Sequence, residues 1–188
     1  MNLGARLSIA LLWLVHCLPV RVQSVLGGLI GALAYRVAGS RRRIALRNLE
    51  LCLPELDPAG RERLAREHFR WLGRSIVERG LLWYAPRERL MKLVEVEGDV
   101  GFAERSQAPV MWLVPHFFAL EAAAAAVQLF QKQRAASIYQ RQSNPVFDAA
   151  VRAGRERFGD SALFSRKDSA KPLIRAIRDQ GLGFFNLP

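Results

Sequence analysis

The sequence predicts an α/β protein: a helix-flanked, mostly parallel sheet preceded by an apolar helical segment at the N-terminus. Three observations carry this. The first forty residues are strongly apolar and contain no acid. Between residues 57 and 80 apolar side chains recur at four-residue spacing, a helical period. From residue 92 onward the pattern changes to short apolar runs separated by helical stretches, as strands alternating with helices require. A chain of 188 residues is long enough for one sizeable core, and it divides into an N-terminal segment, 1–40, and one domain, 41–188.

Within the N-terminal segment, "LSIALLWLVHCL" (7–18) is apolar all round, and "VQSVLGGLIGALAYRVAG" (22–39) resumes after Pro19 and Arg21. A spanning helix needs about 20 consecutive apolar residues, and neither half supplies them. The expected layout is one helix over 3–18, a break at Pro19 and a second helix to about 38. This is an interfacial or shallowly inserted hairpin, a membrane anchor more than a span. The stretch "HCLPVRVQS" offers only a poor small-residue exit site, which argues against a cleaved secretion signal. Three consecutive cations, Arg41, Arg42 and Arg43, follow the apolar run and suit an anionic cytoplasmic leaflet, the alternative being a solvated helix start.

A helix is predicted over 57–80, with Asp57 as N-cap and Pro58 at its first position. Leu64, His68, Leu72 and Ile76 form its expected apolar stripe, which makes His68 a partly buried stripe residue and not a ligand. Arg63, Arg66, Arg70 and Arg74 form a ridge on another face, ordinarily a solvated one, although near a membrane it could also meet phosphate. "KLVEVEG" (92–98) alternates and reads as a strand, and "PVMWLVP" (109–115) is a continuous run of the kind buried in a covered sheet. "AASIY" (135–139) and "GLGFF" (181–185) are similar, with helices at about 118–131, 145–157 and 168–180 between the runs.

One imidazole–carboxylate pair stands out within "VPHFFALE" (114–121), namely His116 and Glu121. The spacing alone is weak evidence, since about one residue in eight of an average chain is acidic. His16 and His68 have Arg21 and Gly73 at the same offset. On a continuous helix five residues turn through about 500°, so His116 and Glu121 would face apart. They meet only if His116 lies in the turn after a strand and Glu121 in the first turn of the next helix. Pro115 favours such a strand exit, and "EAAAAAV" is a strong helix former. Ligands of parallel sheets collect at the carboxyl ends of strands, where a carboxylate can orient an imidazole. Phe117, Phe118 and Leu120 beside the pair suit an acyl chain or a membrane surface.

The charge balance narrows the partners. There are 28 Lys+Arg against 17 Asp+Glu, a net charge of +11. Residues 1–43 carry +6, residues 44–99 are neutral and residues 100–188 carry +5. Such a balance seeks phosphates. Zinc-ligand spacing, basic heptads and RNA-binding β-motifs are all absent, which argues against nucleic acid. Cys17 and Cys52 have neither metal-ligand spacing nor a disulfide-framework count and read as small fillers in a reducing compartment. Neither a metal nor a cofactor is expected.

Five ordered blocks resemble the late acyltransferases of lipid A assembly in Gram-negative bacteria, the lauroyl/myristoyl type. These are "RRRIALRNLELCLPEL" (41–56), "PHFFALE" (115–121), "IYQRQSNPVFD" (138–148), "GRERFG" (154–159) and "SRKDSAKPLIRAIRDQG" (165–181). The related glycerol-phosphate acyltransferases usually show Asn-His and Asp where this chain has Pro115-His116 and Glu121. The resemblance implies the acyltransferase type of α/β fold. It also implies an acyl-carrier-protein thioester as donor, a phosphorylated, Kdo-bearing glycolipid as acceptor, and residence on the cytoplasmic face of the inner membrane. It makes His116 the general base and Glu121 the residue that orients it. Arg155 falls on the family's functional arginine, a phosphate or oxyanion binder, the alternative being a helix-surface cation beside Arg152 and Arg157. The family's chain continues past Pro188, beginning with an aspartate, so the domain is expected to be an N-terminal portion with an incomplete sheet. Two other readings stay open: a non-catalytic membrane-binding remnant, or an acyltransferase for another glycolipid or an amino-acid lipid.

Overall fold

A computed structural model describes residues 2–99, 101–106, 108–132, 134–159, 161–180 and 183–186. Helices α1 (Leu3–Val15) and α2 (Val20–Val37) are separated at Pro19, as the apolar runs predict. Helix α3 (Gly39–Cys52) follows at once, and α4 (Pro58–Tyr84) is 27 residues long. Asp57 caps α4 through Oδ1, which accepts the Gly60 N–H at 2.7 Å, and Pro58 occupies the first turn. Short helices α5 (Arg87–Met91) and α6 (Phe102–Arg105) lead into the sheet half.

Glycines decide how the N-terminal helices sit on α4. A Cβ on Gly31 would lie 2.7 Å from the Arg70 Cα, and one on Gly73 would lie 2.9 Å from the Gly31 Cα. Only hydrogen at these positions lets α2 and α4 touch backbone to backbone, as small residues spaced by four do elsewhere. Gly80 meets the Leu12 backbone of α1 in the same way. Around the crossing, Tyr35 and Phe69 pack edge to face at 5.3 Å beside buried Ala65. Helices α1 and α2 therefore pack directly on α4. Among the described residues no single helix is long and apolar enough to cross a membrane, and α2 with α3 reaches that length only across a 94° bend.

The expected stripe on α4 needs correcting. Its buried stripe runs through Ala65, Phe69, Gly73 and Val77, while Leu64, His68, Leu72 and Ile76 are exposed. The four-residue period was right and the phase was one residue off, about 100° around the helix. Hydrophobicity favours Leu and Ile inward, but so close a crossing admits Ala and Gly. His68 is thus a surface residue.

The second half alternates: β1 (Met111–Leu113), α7 (Leu120–Phe130), β2 (Ala135–Tyr139), α8 (Pro145–Arg155), β3 (Ala162–Ser165), α9 (Ala170–Gln180) and β4 (Gly183–Asn186). All pairings are parallel in the order β1-β4-β2-β3, with Trp112 opposite Phe185 and Ile138 opposite Phe164. Leu173 and Ala176 of α9 pack on Ala136 of the sheet. A second cluster, Leu82, Trp83, Leu90, Leu129 and Val151, joins the end of α4 to α5, α7 and α8.

Two expectations about strands differ. Residues 92–98 form no strand: their alternation gives one face apolar side chains, but a strand needs a neighbour for its backbone, and none pairs here. Gly98 instead turns the chain with φ +94°. Strand β3 was not anticipated, because "ALFS" is too short to show a period and takes its form from pairing with β2. Of the run expected at 181–185, Gly181 and Leu182 lie outside the described residues.

Candidate active site

The loop after β1 carries His116, and α7 begins four residues later with Glu121 in its first turn. This is the placement the residue types required. The turn is closed by backbone bonds: the Phe117 N–H donates to the Pro115 carbonyl at 2.9 Å, and the Leu120 N–H to that of Phe117 at 3.1 Å. The loop presents its side chains outward. His116 is exposed, and Phe117 beside it is 70% exposed. Phe118 packs against the His68 ring of α4, centroids 4.8 Å apart.

Glu121 is engaged by Arg155, from the last turn of α8, and makes no hydrogen bond with His116. The Arg155 Nε donates to Glu121 Oε2 at 3.1 Å, and Nη2 donates to Oε1. This two-point fork is charge-assisted and geometrically specific. It is also largely withdrawn from water, the two side chains retaining 24% and 17% of their exposure.

Local sequence explains why α8 delivers Arg155 there. Asn144 caps the helix, its Oδ1 accepting the Val146 and Phe147 N–H groups at 3.0 and 3.2 Å. Asp148 anchors the same turn by accepting the Gln142 N–H at 2.8 Å. At the other end Gly154 lies on Trp83: a Cβ there would come within 2.5 Å of the indole Nε1. Phe147, Val151 and Arg155 follow at four-residue spacing, so Arg155 stands on the buried stripe of α8. That spacing is the sequence signal that could have foretold an ion pair, since an arginine on an apolar face needs a partner. The neighbouring arginines are used otherwise. Arg152 pairs with Glu156 at 3.2 Å, and Arg157 donates to the Leu82 and Ala85 carbonyls at 3.2 and 2.6 Å.

Behind the ion pair lies a cavity of about 130 Å³ between α7 and the sheet, lined by Trp112, Val114, Ala124, Val127 and Leu163 together with Glu121 and Arg155. Gln128 Oε1 and Ser161 Oγ also border it, both buried and without a hydrogen-bond partner among the described residues. The cavity is thus apolar along its length with a few polar atoms, the composition of small-molecule pockets. Among the described residues no three His, Cys, Asp or Glu side chains cluster as a metal would require.

The family described as bacterial lipid A biosynthesis acyltransferase matches residues 2–185. The lipid A biosynthesis lauroyltransferase of Escherichia coli (strain K12) is 33% identical over 174 residues, which is 92% of this chain and 56% of that protein. The myristoyltransferase of the same organism is 32% identical over 184 residues, 97% of this chain and 56% of its own. The palmitoleoyltransferase is 34% identical over 173 residues, 91% and 55% respectively. The chain therefore spans about half the length of these relatives.

Proposed function

Because the chain belongs to the bacterial lipid A biosynthesis acyltransferase family, we propose that it carries the catalytic half of an enzyme that acylates a hydroxyl of a phosphorylated lipid A precursor. The donor in this reading is an acyl-carrier-protein thioester. The acceptor oxygen attacks the thioester carbonyl while His116 takes its proton, and collapse of the tetrahedral adduct expels the thiolate, which recovers the proton from the imidazolium. No cofactor enters this chemistry.

The observation that carries the reading is the position of His116: exposed at the carboxyl end of a parallel strand, one turn ahead of Glu121 and the apolar cavity. A carboxylate has about four lone-pair directions, and the Arg155 fork uses two. Glu121 can therefore accept from the imidazole while Arg155 keeps its orientation, with the fork in turn offering charge to an acceptor phosphate or a developing oxyanion. The cavity suits an aliphatic chain by its lining. The fork also gives Arg155 a role other than that of a helix-surface cation.

We place this enzyme on the cytoplasmic face of the inner membrane. The support is the +6 charge of residues 1–43 and the outward apolar faces of α1 and α2, where Leu7, Leu14, Val25, Leu29 and Leu33 are each at least 59% exposed. The test of function is mass spectrometry of the product formed from acyl carrier protein thioester and a lipid A precursor by the protein that carries this chain. His116→Ala should lose roughly 10²–10⁴ in rate. If it keeps more than about a tenth of the wild-type rate, His116 is not the base.

A further inference from the structure

Helix α4 presents a face to solvent that the proposed chemistry does not use. Leu64, Trp71, Leu72 and Ile76 are 36%, 44%, 38% and 42% exposed along it. At about 100° per residue, Arg63, Arg70 and Arg74 stand side by side on the adjoining strip. With Leu56, Gly60 and Trp71 they border an open groove of about 700 Å³, in which Glu67 is the one acid. Arg66 also lines the groove, but it is paired with Glu62 at 2.7 Å and stacked over the Tyr35 ring. Arg63, Arg70 and Arg74 have no carboxylate within ion-pair distance among the described residues. The Arg74 guanidinium lies over the Trp71 ring at 4.6 Å. An aliphatic strip with an indole at its margin and unpaired guanidinium groups beside it has the composition of a helix at a lipid interface. There the apolar side chains enter the boundary by roughly 5–10 Å and the cations meet phosphates.

The strip also leads to the loop of His116. His68 stands between Leu64 and Leu72 on α4, and its ring holds Phe118, two residues beyond His116. Phe117, 70% exposed, extends the apolar surface from α4 onto the loop.

We infer that this face of α4 is where an anionic bilayer docks, so that the His116 loop meets the lipid plane. The inference rests on the membrane reading proposed above and adds which surface makes the contact. Three arginines with no carboxylate partner among the described residues complement lipid phosphate, and the aliphatic strip beside them suits the apolar boundary of a bilayer.

The experiment uses the 188-residue chain and vesicles of phosphatidylglycerol and phosphatidylcholine with brominated acyl chains, which quench only indoles near the hydrocarbon. Four tryptophans emit, so the Trp71 signal is taken as the difference between wild type and Trp71→Phe. That difference should be quenched. Arg63→Gln and Arg70→Gln should each weaken vesicle binding about fivefold at low salt, whereas Arg178→Gln on α9, already paired with Asp179, should not. Vesicle binding with Trp71 unquenched overturns the inference but leaves the membrane reading standing. Absence of any vesicle binding overturns both. Protection of Trp71 from aqueous acrylamide by acyl carrier protein, without bromine quenching, assigns the face to an acidic protein and also overturns it.

Discussion

If Arg155 exists in the unliganded protein chiefly to hold Glu121, the two side chains must be strongly coupled. The perturbation is a double-mutant cycle of Arg155→Gln and Glu121→Gln. Exposed ion pairs contribute about 0–1 kcal/mol, whereas removing one partner of a fully buried pair costs about 3–5 kcal/mol. With 24% and 17% of the side chains exposed, the fork lies nearer the second limit, and each single change should cost about 2–3 kcal/mol. Much of that is the penalty of stranding the remaining charge. The double change should therefore cost less than the sum of the singles by about 1–2 kcal/mol. Urea unfolding followed by tryptophan fluorescence measures this. At a slope of about 2 kcal/mol per molar urea, each single variant should shift the midpoint by about 1 M. Arg155→Lys should recover only part of the loss, because an ammonium cannot supply two parallel donors. The reasoning fails if the singles add within about 0.5 kcal/mol, the behaviour of independent sites. Arg155 would then be unconstrained and available to bind substrate alone.

Three further outcomes follow from the packing. Gly31→Ala and Gly73→Ala should each destabilise by about 1–3 kcal/mol as the α2–α4 crossing is forced apart, whereas Gly4→Ala, with nothing within 4 Å of its Cβ, should be neutral or stabilising; thermal melts read the difference in sign. Arg157→Met should cost about 1–3 kcal/mol in chemical unfolding, because the Leu82 and Ala85 carbonyls at the end of α4 lose a charged donor. Burial raises the Glu78 carboxyl above its usual range against the smaller opposing effect of Arg74. A raised folded value means that the native state holds the proton more tightly, so stability should fall as pH rises from about 4.5 through that value. Glu78→Gln should abolish the decline and be the more stable form at pH 7, and unfolding midpoints across pH 4–7 test it.

Much of the architecture could be read from the residues because local and global preferences agree there. Pro19, Asp57-Pro58, Asn144-Pro145 and the alanine run after Glu121 each mark a helix start where the structure has one. Strands β1 and β2 are continuous apolar runs, but only β2 is largely covered: β1, at the sheet edge, leaves Met111 and Leu113 exposed where a buried run was expected. Misreadings arose where contact between distant segments overrides local pattern. On α4, periodicity gave the helix and its period, but Gly27 and Gly31, some forty residues earlier, choose which face is buried. Residues 92–98 have strand-like alternation and no neighbouring strand, while β3 has the neighbour and almost no pattern. The site divides in the same way. The turn-then-helix placement of His116 and Glu121 follows from five residues and a proline. The Arg155 fork depends on how Gly154 seats α8 on Trp83, which no local window contains.

The basic excess, which looks like one signal in the composition, separates into distinct physical roles once partners are known. Arg87 donates to the Leu129 carbonyl at the end of α7 at 2.6 Å, and Arg89 to the His16 and Leu18 carbonyls beyond α1 at 2.6 and 2.8 Å. With Arg157 at the end of α4, three arginines satisfy carbonyls that helix termini leave open, where a cation also complements the helix dipole. Arg155 is committed to Glu121, and Arg47, Arg66 and Arg152 to nearby acids. These charges are locally compensated by carbonyls or carboxylates and contribute little to attraction at a distance. Cations without such partners among the described residues are found in residues 1–43, on the Arg63–Arg74 strip and at Lys167, Lys171 and Arg175, and the first two groups adjoin the apolar faces proposed to meet lipid. A membrane affinity that weakens with salt should therefore respond to changes in those two places and stay unmoved by Arg87, Arg89 or Arg157. Substitutions at the latter three should appear as lost stability instead.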